Sequence, residues 1–495
     1  MKHILFYFLN LNLLIAINSC IVSENSREIQ RQEYIIHEKI ESENFVIHYT
    51  TAIDDFQEIN GQLYSLQSSH TYAQSIIDLA EQSLNYYYSN GWESLPPDCD
   101  ESISDLNSLD HCINYGGNSL YDIYISNDGV GMVVPENLYS ESPYTGGRTS
   151  YMKITTLSNN YETLPIWSHH VIAHEVHHSI QLRYGTGTSG VPGNYIHNLW
   201  FFEQTATYMQ NAVFPYTNHL FTMLSNCDVV TPLTNSNLGI DYPADIYPYR
   251  GALWQKYLVK STGDSSIVRT LWEEYGQRFS NQESVSLLPI YENSLNLSTD
   301  NQTSLTEAFS DYALWRYFTG SRAANNNFFE DAEGYCTSST YDFDQNYSLI
   351  LNRGGSYFFE IPNETLNIIL FSEDYDRLVC SHIKYGNDGV VSDQLIGLND
   401  EESYLNFNYQ SEISQALLIS TDYLDTENRE IYFSINLNQM SNGDLNFDNQ
   451  INVIDIIYII NLILENEYEA YADLNADSLL DILDAILLVE IILNI

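Results

Sequence analysis

Basic residues are scarce in this chain: 18 lysines and arginines stand against 66 acidic residues, a formal net charge of −48. A polyanion of that size is repelled by phosphate backbones and anionic lipid, which excludes nucleic acid as a partner. Cysteine is sparse too, six in 495 residues, and no two stand at the CxxC spacing of a zinc ribbon or dithiol redox centre. Beyond the N-terminus no apolar run is long enough to span a bilayer. What is abundant suits packed cores, 44% hydrophobic residues with 40 Tyr and 20 Phe, in a chain too long for a single core.

Met1-Lys2-His3 is a short basic start, Ile4 to Ile17 is mostly apolar, and Ser19, Cys20 and Ser23 are small. The pattern predicts a signal peptide over 1–22 and a secreted or extracellular protein. Ile17-Asn18-Ser19-Cys20 also loosely resembles a lipobox, which implies a lipid anchor at Cys20 and a place at the cell surface, although Asn18 is unusual for that motif. Export permits disulfides. Sequence proximity suggests Cys99 with Cys112 and Cys336 with Cys380, leaving Cys227 over.

Residues 23–43 read as a leader or spacer. Strands are expected at Phe45–Thr50, Tyr121–Ile125 and Tyr151–Thr155, and a helix at Tyr72–Tyr88, where apolar residues recur every three or four positions. Helical segments then prevail to Gly320, so 44–322 reads as a mixed α/β lobe plus a helical lobe. An Asn-rich stretch from Ala323 to Gly334 marks a boundary. Short alternating runs over 335–437 predict a β-sandwich accessory domain, and 440–495 a small all-α module built on calcium loops. The expected fold class is multidomain α+β.

His174-Glu175-Val176-His177-His178 satisfies H-E-x-x-H. On a helix the histidines four apart share a face and can ligate one zinc ion, with Glu175 beside them as general base. His177, His169 and His170 are rival ligands, read first as surface or supporting histidines. A catalytic zinc needs a third protein donor. A metzincin would carry Gly and His where this chain has Gln181 and Tyr184, so that class is excluded. The candidate is Glu203, 25 residues downstream (203 − 178), whose carboxylate amid Trp200, Phe201 and Phe202 calls for a buried counter-charge. Tyr249, with Tyr247 close behind, is the candidate oxyanion donor, set against the reading that both tyrosines only pack.

Ala173-His174-Glu175-x-x-His178-x-x-Gln181 with Trp200-x-x-Glu203-x-x-Ala206-x-Tyr208-Met209 resembles the gluzincin metallopeptidases, and more closely a family of exported bacterial metalloproteases. The resemblance runs from the Phe45 strand to about Gly320. It implies a zincin-like catalytic domain, one zinc ion and a protein or peptide substrate. One position departs from the pattern: thermolysin-like enzymes place an Asp four residues after the ligand glutamate, where this chain has Thr207. The competing reading is a non-catalytic extracellular binding or adhesion protein that keeps a structural zinc.

The last segment is duplicated with an offset of 29 residues (473 − 444). Asp444, Asn446, Asp448, Asn452 and Asp455 recur as Asp473, Asn475, Asp477, Asp481 and Asp484. These are positions 1, 3, 5, 9 and 12 of a calcium loop, with backbone carbonyls of Gln450 and Leu479 at position 7, so two Ca²⁺ ions are expected. Asp rather than Glu at position 12 and a short approach resemble a type I dockerin. That resemblance implies a cohesin-type scaffold protein as partner, with Val453-Ile454 and Ile482-Leu483 at the positions that carry selectivity. Asn449 and Ser478 stand where the loop usually has glycine.

Overall fold

A computed structural model describes residues 37–494 apart from 109–110, 128, 157–163, 186–197, 245, 282–284, 324–327, 387–388, 409, 411, 424–429, 438–442, 447–449, 466, 470 and 476–478. The expected signal peptide, the lipobox with Cys20, most of the leader, and Asp448, Asn449, Asp477 and Ser478 lie outside the described residues. The chain forms two compact units, one of residues up to 236 with 240–322 and 328–338, the other of 237–239, 323–327 and 339–495.

The first unit is built on a five-stranded mixed sheet. Its strands are β1 (Glu38–Glu41), β2 (Phe45–Tyr49), β5 (Tyr121–Ile125), β6 (Gly131–Glu141) and β7 (Tyr144–Ile154), in the order β1-β2-β5-β7-β6. β3 (Phe56–Ile59) and β4 (Gln62–Ser65) form a separate hairpin. β2, β5 and β7 run parallel, and their register sets Ile47, Ile123 and Met152 side by side, all buried. Such double-sided burial is what near-continuous apolar strands predict. The expected leader ends earlier than its sequence boundary, because Glu38–Glu41 pairs antiparallel with β2. β6 is an edge strand, where Pro135, which has no N–H for the ladder, is tolerated.

Helix α1 (His70–Ser89) starts where the Ser69 hydroxyl accepts the Tyr72 N–H, and packs Tyr72, Ile76, Ile77, Ala80, Leu84 and Tyr87 inward. Helix α2 (Ile166–Tyr184) begins after Pro165 and stops at Gly185, whose φ of 142° suits glycine. It lies across β7 and β6. Arg183, in its last turn, donates to the carbonyls of Glu141, Ser142 and Tyr144 and so ties the helix end to the β6–β7 turn. The helical part follows as α3 (Leu199–Val213), α4 (His219–Leu224), α5 (Tyr247–Arg250), α6 (Ala252–Thr262), α7 (Ile267–Ser280), α8 (Leu287–Ser298) and α9 (Leu305–Tyr317). Phe201 and Phe202 of α3 pack on Trp272 of α7 at centroid distances of 4.6 and 4.7 Å, which turns the next residue, Glu203, towards α2.

Cys99 and Cys112 are joined. The expected Cys336–Cys380 pair is corrected: Cys336 bonds Cys227, 109 residues away, and Cys380 is a free thiol. The cause is tertiary. Cys380 lies on strand Leu378–Gly386 within a buried core of the other unit, where burial pushes its thiol up to about 12. The first unit accordingly runs on to Ser338 rather than ending at 322.

In the second unit one sheet holds β8 (Tyr341–Asp342), β10 (Ser356–Ile361), β12 (Leu378–Gly386), β13 (Gly389–Ile396) and β15 (Ser414–Thr421). The other holds β9 (Tyr347–Asn352), β11 (Leu366–Phe371), β14 (Glu402–Phe407) and β16 (Glu430–Leu437). Phe359, Leu417 and Ile419 of one sheet share a buried core with Ile368, Leu370 and Phe433 of the other. Helices α10 (Val453–Glu465) and α11 (Ile482–Asn494) pack on each other around Ile459, Leu462, Ala485 and Leu488.

Candidate metal centre and calcium loops

α2 presents His174 and His178 on one face, and α3 delivers Glu203 opposite them. One ligand atom from each lies within 4.8 Å of the other two, and all three side chains are buried. Glu203 Oε2 stands 3.1 Å from His174 Nε2 and 3.3 Å from His178 Nε2.

The proton on His178 can be assigned from its neighbour. The Gln181 amide donates through Nε2 to the Phe202 carbonyl at 3.0 Å and to the Thr205 hydroxyl at 2.9 Å, and the Thr205 hydroxyl itself donates to the Phe201 carbonyl. Its Oε1 therefore faces His178 Nδ1, at 2.7 Å, and that nitrogen carries the hydrogen. In the neutral ring Nε2 is then a bare lone pair aimed at a carboxylate, an arrangement of acceptors that a cation satisfies. Glu203 Oε1, also buried, has no hydrogen-bond partner. Two imidazole nitrogens and a carboxylate are a donor set that a zinc ion accepts, and the residues fit the ion.

Burial alone would raise the Glu203 carboxyl, but the charge on His178 and hydrogen bonds from both histidines outweigh it and hold the group down at about 2. Burial and the neighbouring His178 keep His174 below its ordinary value. His178 is also penalised by burial, yet Glu203 lifts it above the usual imidazole range.

Glu175 is buried next to the ligands, and Gly131 of β6 lies against it: a Cβ at position 131 would sit 2.7 Å from Glu175 Oε1. Tyr249 stacks its ring on His174, centroids 5.7 Å apart and half-exposed, whereas Tyr247 is buried in the core. The two candidate donors thus part company, and only Tyr249 reaches the centre. His177 is no ligand here. Its ring is enclosed by Tyr87 at 5.2 Å and Trp92 at 4.8 Å, and burial holds it well below its ordinary value. His169 meets the Tyr216 hydroxyl, and His170 stacks on His219 at 3.8 Å.

Sequence reasoning missed Gln210, whose Oε1 lies 2.9 Å from His174 Nδ1. The signal was its place seven residues after Glu203 (210 − 203), two turns along the same helix face. It occupies the orienting role that Thr207 cannot fill. Gln181, quoted only as a motif letter, does the same for His178.

At the C-terminus Asp455 closes the first loop: Oδ1 accepts the N–H groups of Leu445 and Asn446, and Oδ2 that of Asn452. Asp484 repeats the clamp with Asn475 and Asp481. Asn452 and Asp481 also cap the following helices by accepting the N–H of Ile454 and Leu483. Asp444 is buried beside Leu445.

Residues 442–493 match the family described as the dockerin type I domain. Dockerin domains bind calcium and dock extracellular proteins onto cohesin scaffolds. No curated protein matches the chain. Among solved structures it is similar to the pre-peptidase C-terminal domain of a collagenase from Bacillus anthracis, at 13% identity over 20% of this chain and 95% of that one, with a TM-score of 0.15. It is also similar to a chain of the Gt strain of infectious bursal disease virus, at 16% identity over 21% of this chain and 33% of that one, with a TM-score of 0.12. Among the described residues no helix is long and apolar enough to cross a membrane.

Proposed function

We propose that the protein is an extracellular zinc metallopeptidase tethered to a cohesin scaffold through its dockerin domain. The observation that carries the first half is the convergence of His174, His178 and Glu203 within 4.8 Å, with Glu175 on the same helix. Zinc, when bound, supplies Lewis-acid polarisation of a peptide carbonyl and lets water lose a proton near neutral pH. Glu203 and the two imidazoles hold the ion, and Gln181 and Gln210 orient the imidazoles. Glu175 takes the proton from water at its carboxylate and hands it to the departing amine. Tyr249, stacked on His174, donates its hydroxyl to the oxygen on which charge develops. Among the described residues β6 is an edge strand of its sheet and its Gly131 lies beside Glu175, a place suited to holding an extended peptide.

Two matching apolar stripes support the docking half. Val453, Ile454, Ile457, Ile460 and Leu464 of α10 are exposed, and so are Ile482, Leu483, Ile486, Val489 and Leu493 of α11, each 29 residues on (482 − 453). A face of this kind suits a largely apolar partner surface.

Hydrolysis of denatured casein tests the peptidase reading. It should be abolished by phenanthroline and by Glu175→Gln; cleavage that survives both would overturn the zinc mechanism.

A further inference from the structure

We propose that His219, Gln210 and His174 form one coupled hydrogen-bond chain in which Gln210 acts as the positioning residue, so that the tautomer of His219 sets the tautomer of His174 and with it the site's readiness for metal. The inference rests on the metal-site reading above. Gln210 Oε1 lies 2.9 Å from His174 Nδ1, and its Nε2 lies 2.6 Å from His219 Nδ1. An amide offers an acceptor at one end and donors at the other, so the two imidazole nitrogens it bridges must be of opposite kinds.

With both rings neutral, only two arrangements satisfy all three residues. In the first, His174 carries its hydrogen on Nδ1 and donates to Gln210 Oε1, while His219 Nδ1 accepts from the amide. His174 Nε2 is then a lone pair facing His178 and Glu203, ready for a cation. In the second, the amide is turned over, His219 carries its hydrogen on Nδ1, and His174 carries its own on Nε2. That hydrogen points at Glu203 Oε2, 3.1 Å away, and satisfies the carboxylate without a metal. Rotation of the amide and a change of tautomer on both rings therefore separate a metal-ready state from a closed one. His219 is half-buried and its ring lies flat on His170, 3.8 Å between centroids and 7° between planes, so it keeps its place while the hydrogen moves. Gln181 has no such freedom, because it donates to a backbone carbonyl, which only accepts.

Two readouts on the full-length protein test this. In chelator-competition titrations with zinc, Gln210→Met should bind about 10–100-fold more weakly than wild type, the range typical of lost ligand-orienting partners. Gln210→Glu, which still accepts from His174 Nδ1, should stay within a few-fold. Nitrogen NMR of histidine-labelled wild type, with His219→Phe to assign the signals, should show His219 Nδ1 unprotonated once zinc is bound. Gln210→Met binding within two-fold of wild type, or a zinc-bound protein with the hydrogen on His219 Nδ1, overturns the coupling while leaving the metal site standing. A wild type that fails to bind zinc overturns both.

Discussion

A carboxylate set between two buried imidazoles does not titrate alone. Glu203 is held at about 2 and His178 above its ordinary range because each stabilises the other's charge. A proton on His178 Nε2 competes with zinc, so affinity should fall as pH falls, by up to about tenfold per unit once that group is protonated, and level off above its raised pKa. Chelator titrations at pH 8, 7 and 6 check the sign. Glu175 has a different dependence on chemistry. Glu175→Gln should retain zinc yet lose about 10²–10⁴-fold in hydrolysis, the range for a missing general base, which turnover and metal content measured on one sample can separate. The three candidate ligands could be read in the sequence because helix spacing and a carboxylate among aromatics are local patterns. Gln181 and Gln210 could not: an amide becomes an orienting group only when folding brings a histidine to it.

The approach of β6 to α2 turns a glycine into part of the site. At position 131 a methyl group would press on Glu175 and on Val171, so Gly131→Ala should lower turnover while leaving zinc affinity unchanged. Loop-closing aspartates can be tested in the same spirit. Asp455→Ala leaves three N–H groups, of Leu445, Asn446 and Asn452, without their acceptor, at about 1–3 kcal/mol for each that stays buried. It should abolish one calcium site and lower the module's calcium-dependent melting, as calorimetry with and without EGTA would record. β11 shows the alternation expected over 335–437, with Leu366, Ile368 and Leu370 buried and the residues between them not, because alternation within a half-buried sheet is a strong local signal. The Cys227–Cys336 bond escaped notice because its 109-residue separation reflects the packing of the first unit, not any local spacing.

At the scale of the whole molecule the proposed zinc centre and the calcium loops belong to different units. Phenanthroline should stop hydrolysis and leave cohesin binding intact, whereas calcium removal should release cohesin and leave hydrolysis unchanged. A pull-down and a casein assay on the same preparation show whether the two properties separate in this way. The first unit continues to Ser338, and Cys336, joined to Cys227 109 residues earlier, belongs to it, a link that composition does not reveal. The peptidase reading stands on the centre made by His174, His178 and Glu203, and metal content of purified wild type beside Glu203→Ala tests it most directly. One zinc per wild-type chain, and almost none after the substitution, is the predicted result. Equal zinc in both proteins, or none in the wild type, would contradict it.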